Sequence, residues 1–438
     1  MRRLYEPAAY GPAPGCFWAE GVTPPDWPEL AGAHQTDVAV IGGGYTGLTA
    51  GLTLAEAGTD CLLLEAEAPG WGASGRNGGF CCLGGAKAPE ALLRRRFGAE
   101  GLAEWHATQV ASIETVAGLI ARHGIACDTH SRGETQLAHN PRAARGFEAE
   151  ARATEAAYGV TPEILPAEAL PGAGLGGGFH GALTTPLGFA LHPRKYHHGL
   201  ARAATEAGLR AFGSSPVIAL SRDGAGWRLD TPRGRVRAKA VLIATNGYSS
   251  EDLPDWLAGR TLPVQSSIIL TRPLEAAEAE AQGWHSEQMC YDSRELLHYF
   301  RRLPDGRFLF GMRGGLHATP RAQARIARKI RGDFARLFPA WSEVEITHEW
   351  SGLVCLMANL TPFAGPVPGH PGLFAALGYH GNGVAMASHL GGEVARKILS
   401  PETALPRAVA APPRRFPLGR FRRALLAPAY LAAETLDL

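Results

Sequence analysis

From Asp37 to Glu65 the chain reads DVAVIGGGYTGLTAGLTLAEAGTDCLLLE: an apolar run, a glycine turn, a helical pattern, then a second apolar run ending in an acid. That order predicts strand, helix and strand, a complete β-α-β unit of the dinucleotide-binding kind. Gly42, Gly44 and Gly47 fit G-x-G-x-x-G directly after strand-like Val38 to Ile41. Gly42 permits the tight turn, Gly44 lets a pyrophosphate approach the backbone, and Gly47 lets helix and strand pack closely. Tyr45 and Thr46 complete the turn at the helix N-terminus, which faces the phosphates. Glu65 closes the second strand about 20 residues on, where a carboxylate can accept hydrogen bonds from both ribose hydroxyls of an adenosine. The ligand expected from this unit alone is FAD or NAD.

The remaining pattern alternates between two kinds of element. Residues before Gln35 are rich in Pro and aromatics and show neither period, so they are expected to form an irregular arm lying on the body. After Glu65, AEAPGWGASGRNGGF is a second glycine-rich loop, with Arg76 and Asn77 between glycines that let the main chain wrap around a ligand. Pro89 to His123 carries apolar residues at helical spacing, a helical pair ending at Gly124. Residues 134–140 and 172–190 read as short strands and turns, followed by a helix ending near Gly208. Pro216 to Leu220, Trp227 to Thr231 and Val236 to Thr245 form three strands, the last running apolar into Thr-Asn-Gly, as a buried strand that ends at a ligand does. Residues 263–270 and 298–312 alternate, and Asp305-Gly306 signals a hairpin. Arg321 to Phe338 is an amphipathic helix, Val344 to Cys355 is strand-like, and Leu373 to Leu377 enters GYHGNG before a helix from Val384 to Leu399.

At 438 residues the chain exceeds the size at which one core keeps growing. The pattern predicts an α/β (α+β) protein: a Rossmann-like nucleotide domain (35–88, 190–250 and 345–400) interleaved with an antiparallel-sheet domain (89–189 and 251–344). An arm (1–34) and a C-terminal extension (401–438) flank them. With 45% hydrophobic and 19% charged residues and a formal charge of +2, the composition is globular and offers no field for a polyanion. The seven cysteines form no C-x-x-C pair, which argues against a disulfide framework or zinc site and fits a reducing cytoplasm. No segment has the length of a secretory signal core or a membrane span. Arg414 to Leu438 mixes arginines with leucines and alanines, a composition that suits a membrane-surface helix, although packing against the body is the expected use.

Four blocks, VIGGGYTG to LLLE, WGASGRNGG, AVLIATNGYS and GYHGNGVAMASHLGGEVA, together resemble the D-amino-acid-oxidase-like FAD-dependent oxidoreductases. The pairing of GGGYTGL with GWGASGRNGG is most similar to the gamma-glutamylputrescine oxidoreductase branch. The resemblance implies FAD as cofactor. It places the ADP half on Gly42, Gly44, Gly47 and Glu65. The pyrophosphate and flavin fall along Ser74, Gly75, Arg76, Asn77, Gly78 and Gly79, with Val217 against the adenine and Thr245 and Gly247 closing the ADP side. The turn containing Gly378, Gly381, Asn382 and Gly383 aims helix-start amides at the flavin pyrimidine. Relatives of that branch often read Gly-Tyr-Ser-Gly-His-Gly there, whereas this chain has His380 and Asn382 at the Ser and His places.

The implied reaction oxidises a C–N bond of a small amine or amino acid. The unprotonated amine gives hydride to flavin N5, and the resulting imine hydrolyses. Such chemistry needs orientation and exclusion of water more than a dedicated base. Candidates for the substrate face are His298, Tyr299, Arg313, Trp350 and His380. Tyr299 and Trp350 alternate with apolar neighbours and suit a core equally well, while Arg313 between Gly311 and Gly314 suits carboxylate capture. The histidines show no metal spacing. Cys355, in SGLVCLM, resembles the site where sarcosine oxidases attach flavin, yet a buried strand thiol is the simpler reading and non-covalent FAD is expected. The acceptor is oxygen or another oxidant. Sarcosine-oxidase relatives place a lysine near the flavin for oxygen, and RFLFGMRGG has none, which leans towards slow oxygen use. The alternatives are a 2-hydroxy-acid oxidoreductase of the same fold and a non-catalytic flavin-binding protein.

Overall fold

The architecture is that of a computed structural model, which describes residues 2–437. It is built on two eight-stranded sheets. At the centre of the first lies Gly32–Ile41, whose parallel neighbours are Cys61–Leu64 on one side and Gly234–Ile243 on the other. Arg210–Phe212 and Leu373–Leu377 extend the parallel run, Phe363–Pro366 closes one edge, and an antiparallel meander (Ala219–Asp223, Gly226–Asp230) hangs from Gly234–Ile243.

The central strand is buried on both faces, which explains its unbroken apolar run. Val38 and Val40 meet the helices Tyr45–Glu56, Pro193–Glu206 and Gly383–Leu399, whereas Ala39 and Ile41 face the meander and the strand carrying Cys355 and Met357. The carboxyl ends of 32–41, 234–243 and 373–377 therefore lie side by side, and the three glycine-bearing turns that follow them gather at one edge.

The second sheet runs Ile346–Met357, Thr261–Thr271, Phe308–Arg313, His298–Arg302, Met289–Asp292, Glu134–Leu137, Gly181–Thr185, Glu163–Pro166, antiparallel except where 134–137 meets 289–292. Phe300, Phe308 and Phe310 pack from this sheet against Phe334, Phe338 and Trp341 at the helix Pro320–Leu337. The hairpin turns at Asp305-Gly306 as its sequence predicts, with Gly306 at φ 86°.

Three elements differ from the sequence expectation. Ile346–Met357 pairs along its whole length with Thr261–Thr271, so it belongs to the antiparallel sheet and not to the nucleotide segment 345–400. The helix Glu90–Arg122, broken at Gly98 (φ 76°), buries Leu93, Leu102, Trp105 and Val116 against the helices of the first sheet, although 89–189 was expected in the other domain. Pro141–Tyr158 is a helix the pattern did not announce, because only Phe147 and Ala151 of its residues are buried; its ends carry clear signals, an Asn140 cap accepting from the Ala143 N–H at 2.8 Å and Gly159 at φ 68°. The arm does lie on the body: Tyr5, Tyr10, Cys16, Trp18 and Trp27 are buried. No helix among the described residues is long and apolar enough to cross a membrane.

Candidate cofactor site and adjoining cavity

A cavity of about 560 Å³ opens at the shared edge of the glycine turns and continues beneath the second sheet. The first turn is shaped by contacts that only glycine tolerates. A Cβ on Gly42, at φ 107°, would stand 2.8 Å from the Ala244 carbonyl oxygen, and one on Gly47 would stand 2.0 Å from that of Gly42. Gly44, where a Cβ would lie 2.9 Å from Ser74 Oγ, starts a helix that no side chain of its own caps. The Tyr45 N–H instead donates to Ser74 Oγ at 3.0 Å, which joins the first and second glycine loops. Glu65 accepts from the N–H groups of Gly43 (2.7 Å) and Glu67 (3.1 Å) while bordering the cavity; burial raises its pKa.

Gly42, Gly44, Tyr45, Thr46, Glu65, Ser74, Arg76, Asn77, Gly78, Val217, Thr245, Cys355, Gly381, Asn382 and Gly383 all border this one cavity. Gly47, Gly75, Gly79, Gly247 and Gly378 do not; they are places of close packing. A Cβ on Gly75 would lie 1.8 Å from the Gly70 carbonyl oxygen, one on Gly79 2.1 Å from that of Leu191, and one on Gly378 2.1 Å from Met357 Cγ. Gly247 abuts Leu353.

The polar side chains of the second loop turn inward to main chain. Arg76 donates to the carbonyls of Trp71 (2.6 Å) and Gly11 (3.0 Å), and Asn77 Oδ1 accepts from the Gly79 N–H at 2.8 Å. The arm thus clamps this loop, with Trp18 Nε1 donating to the Asn77 carbonyl at 2.8 Å.

Of the expected substrate-face residues, His380 borders the cavity with both ring nitrogens bonded to main chain, and Trp350 does not border it. His380 is 1% exposed, its Nδ1 bonded to the Gly85 carbonyl at 2.9 Å and its Nε2 accepting from the Met357 N–H at 3.1 Å. Both nitrogens are committed, and burial holds the ring neutral with its pKa at about 4. Trp350 lies outside the cavity, donating to the Arg76 carbonyl at 2.8 Å and packing on Trp18. His298 does not line the cavity either, although its neighbours Leu297 and Tyr299 do. Its Nδ1 meets Asp292 at 2.7 Å and its Nε2 meets Asp333 at 3.1 Å, all three side chains buried.

Tyr299 and Arg313, like His380, border the cavity. The Tyr299 hydroxyl bonds Ser266 Oγ at 2.8 Å, and Gly311 leaves the space for its ring, since a Cβ there would be 2.1 Å from Cζ. Arg313 lies against Gly381, where a Cβ would be 2.6 Å from a guanidinium nitrogen.

The sequence reading missed four further groups on the cavity wall: Lys87, Glu134, Glu150 and Tyr291. Desolvation brings Lys87 down to about 8 and pushes Glu134 up to about 8, and it raises Glu150 and Tyr291. Among the described residues none of Arg313, Lys87, Glu134 and Glu150 forms an ion pair, although the Glu295 carboxylate acts on Lys87 against the pull of burial. Glu134 is 8% exposed, within reach of the Cys82 thiol and the Leu83 N–H. Its signal in the sequence was a charged residue in a strand whose neighbours are buried. Lys87 comes from GGAKAP, behind the second glycine loop, so a lysine does approach the site from a segment other than the hairpin.

These residues fit a flavin dinucleotide. A glycine cradle with no room for side chains adjoins one helix start, and a second, at Gly383, likewise has no side-chain cap. Thr46 Oγ1 and Tyr379 Oη, 2.6 Å apart, tie the two ends together. The model of the DAO family, FAD dependent oxidoreductase, matches residues 37–397. The chain is 33% identical to the "Probable oxidoreductase OrdL" of Rhizobium meliloti (strain 1021), covering 94% of this chain and 95% of the relative. It is 30% identical to the gamma-glutamylputrescine oxidoreductase of Escherichia coli (strain K12), covering 83% of each. The fold also matches the crystal structure of glycine oxidase from Geobacillus kaustophilus, with TM-score 0.67, 22% identity, and coverage of 85% of this chain and 96% of that one. The chain belongs to the DAO family of FAD-dependent oxidoreductases.

Proposed function

On the premise of that membership, we propose that this enzyme oxidises the C–N bond of a small amine or amino acid to an imine that water then hydrolyses. FAD, when bound, supplies the hydride acceptor at N5. The observation that carries the reading is one cavity bordered by cationic side chains, Arg313 and Lys87, and by carboxyl side chains, Glu134 and Glu150. Arg313 is half-buried and Glu134 buried, each without an ion pair among the described residues, so a ligand that brings both a carboxylate and an amine is the one this wall favours. Arg313 presents a fork suited to a carboxylate, with Lys87 adding positive potential beside it. Glu134, its carboxyl pushed up to about 8 by burial, is the group that, when ionised, accepts the proton an ammonium gives up on reaching the neutral form that reacts. Relatives and structural neighbours are named for such substrates, gamma-glutamylputrescine and glycine among them. A 2-hydroxy acid would satisfy Arg313 and leave both glutamates unmatched.

We place the enzyme in the cytoplasm, where its seven buried free thiols are at home. Oxygen or another oxidant takes the electrons, and Lys87 gives oxygen a cation in the cavity. The test is anaerobic bleaching of the flavin absorbance by a panel of glycine, sarcosine, D- and L-alanine, putrescine, gamma-glutamylputrescine and lactate. Bleaching by an amine is the expected result. Bleaching by lactate with every amine inert would overturn the assignment.

A further inference from the structure

Of the seven exposed large apolar side chains among the described residues, four fall between Leu418 and Leu436: Leu418 (57% exposed), Phe421 (64%), Leu431 (67%) and Leu436 (73%). The helix Leu426–Leu436 seats Leu426 among Leu262, Val264, Phe416 and Tyr430, and Ala433 continues that inward face. Its other face should be polar in a helix that meets only water. Instead Ala427, Pro428, Ala429, Leu431, Ala432 and Leu436 are exposed, Glu434 is the only charge, and the Thr435 hydroxyl is turned back onto the Leu431 carbonyl at 2.8 Å.

Charge follows the same segment. From Thr403 to Ala433 there are six arginines and no acid. Arg422 and Arg423 are spent on Glu251 and Glu6. Arg414, Arg415 and Arg420 are exposed and form no ion pair among the described residues, and the Arg420 guanidinium lies 4.7 Å over the Phe421 ring. Apolar side chains beside unpaired arginines match an interface whose headgroups are anionic and whose interior is apolar.

We propose that Arg414 to Leu436 seats this enzyme on an anionic lipid surface, with Phe421, Leu418, Leu431 and Leu436 entering the apolar layer and Arg414, Arg415 and Arg420 meeting the headgroups. The geometry also sets an orientation. Just past the helix, the Asp437 carboxylate accepts from the N–H groups of Glu295 (2.7 Å) and Leu296 (3.2 Å), and the next residue, Leu297, lines the cavity. The seated face and the cavity wall are thereby joined through one short loop.

The experiment is flotation of the full-length holoenzyme with vesicles of phosphatidylcholine alone and of phosphatidylcholine mixed equally with phosphatidylglycerol. Binding is expected with the mixed vesicles only and should weaken as salt is raised. The variant Arg415→Gln/Arg420→Gln should partition roughly 30-fold less well, from two headgroup charges lost. Phe421→Ser/Leu431→Ser should fall at least as far, with flavin absorbance and substrate bleaching unchanged. The arginine variant and the salt series stand independently if the apolar variant fails to fold. Wild-type enzyme that does not float, or that floats equally in both variants, would overturn the proposal. So would sedimentation showing a dimer that Phe421→Ser/Leu431→Ser dissociates, because a second copy would then own this face.

Discussion

Replacing His298 by Leu tests whether this histidine is structural. It lies between two buried carboxylates, Asp292 (0% exposed) and Asp333 (4%), and raises its pKa by bonding both, against the opposing pull of burial. Removing one partner of a buried ion pair costs roughly 3–5 kcal/mol. Here Arg294 still holds Asp292, and Lys329 and Arg336 still hold Asp333, which puts the loss at the low end, about 3 kcal/mol. For a chain of 438 residues unfolding as one unit, about 2.1 cal/mol/K per residue gives roughly 0.9 kcal/mol/K and a fall in Tm of about 3 °C.

The pH dependence is specific. A histidine whose folded pKa is raised above 6.5 stabilises fully below 6.5, and that contribution disappears as pH rises through the folded value. Asp292 and Asp333 are lowered from 3.8, so their contribution is present above that value and is lost as pH falls through the folded ones. The gap between wild type and His298→Leu should be widest between about pH 4 and 6.5 and narrow on both sides. The assay is thermal and urea unfolding at saturating FAD across pH, alongside kcat/KM of the folded variant. A gap below about 1 kcal/mol, or one that does not vary with pH, would refute the argument. Unchanged stability with a fall in kcat would return His298 to the chemistry.

Glu65→Gln should weaken FAD binding about 10- to 100-fold, from the loss of one charge-assisted acceptor at a buried site, read by titrating apoprotein with flavin fluorescence. Arg313→Leu should raise KM at least 100-fold for substrates that carry a carboxylate and leave the KM of a simple alkylamine within a few-fold; equal effects on both would contradict carboxylate capture by Arg313. The Cys355 thiol is buried and pushed up to about 12, hence protonated and a poor nucleophile at neutral pH. Acid denaturation of the holoenzyme should therefore release all the yellow colour, and any colour retained on the precipitate would contradict non-covalent binding.

What the sequence revealed follows from where local signals are decisive. The turn after Ile41 is legible because a Cβ at Gly47 would strike main chain five residues back and one at Gly42 would strike the neighbouring strand's end, so the constraint is written as glycine at fixed offsets. Leu373–Leu377 and the hairpin at Asp305-Gly306 are legible for similar reasons. The substrate wall is not. Glu134 is one charged residue in a strand of four, Glu150 sits on a helix with two buried residues, and Lys87 lies in a loop, so no spacing relates them. Only the pairing of 134–137 with 289–292 and the packing of the helix 141–158 on that sheet bring Glu134 and Glu150 to one cavity. His298 shows the converse error. A histidine at the start of a hairpin beside a ligand-bearing strand suggests chemistry, while its two aspartates arrive from the preceding strand and a distant helix.

The distinction between the two ends of the site lies in satisfaction, not in residue type. Around the glycine turns many polar side chains are already bonded to protein: Asn77 to Gly79, Arg76 to Trp71 and Gly11, His380 to Gly85 and Met357, Thr46 to Tyr379. Such groups are fixed before any ligand arrives, and a site that must hold one cofactor in one pose benefits from that rigidity. At the other end the half-buried Arg313 and the buried Glu134 form no ion pair among the described residues, and the exposed Lys87 and Glu150 border the same cavity, so ligand charge is a main source of selectivity. Substitutions around the turns should therefore act on flavin retention and stability, and substitutions at the four charges on substrate choice. Glu134→Gln separates the two directly: flavin affinity should be unchanged, while the preference for an amino acid over its 2-hydroxy analogue should shrink at least tenfold. A loss of flavin without a change in that preference would show that Glu134 belongs to the cofactor frame.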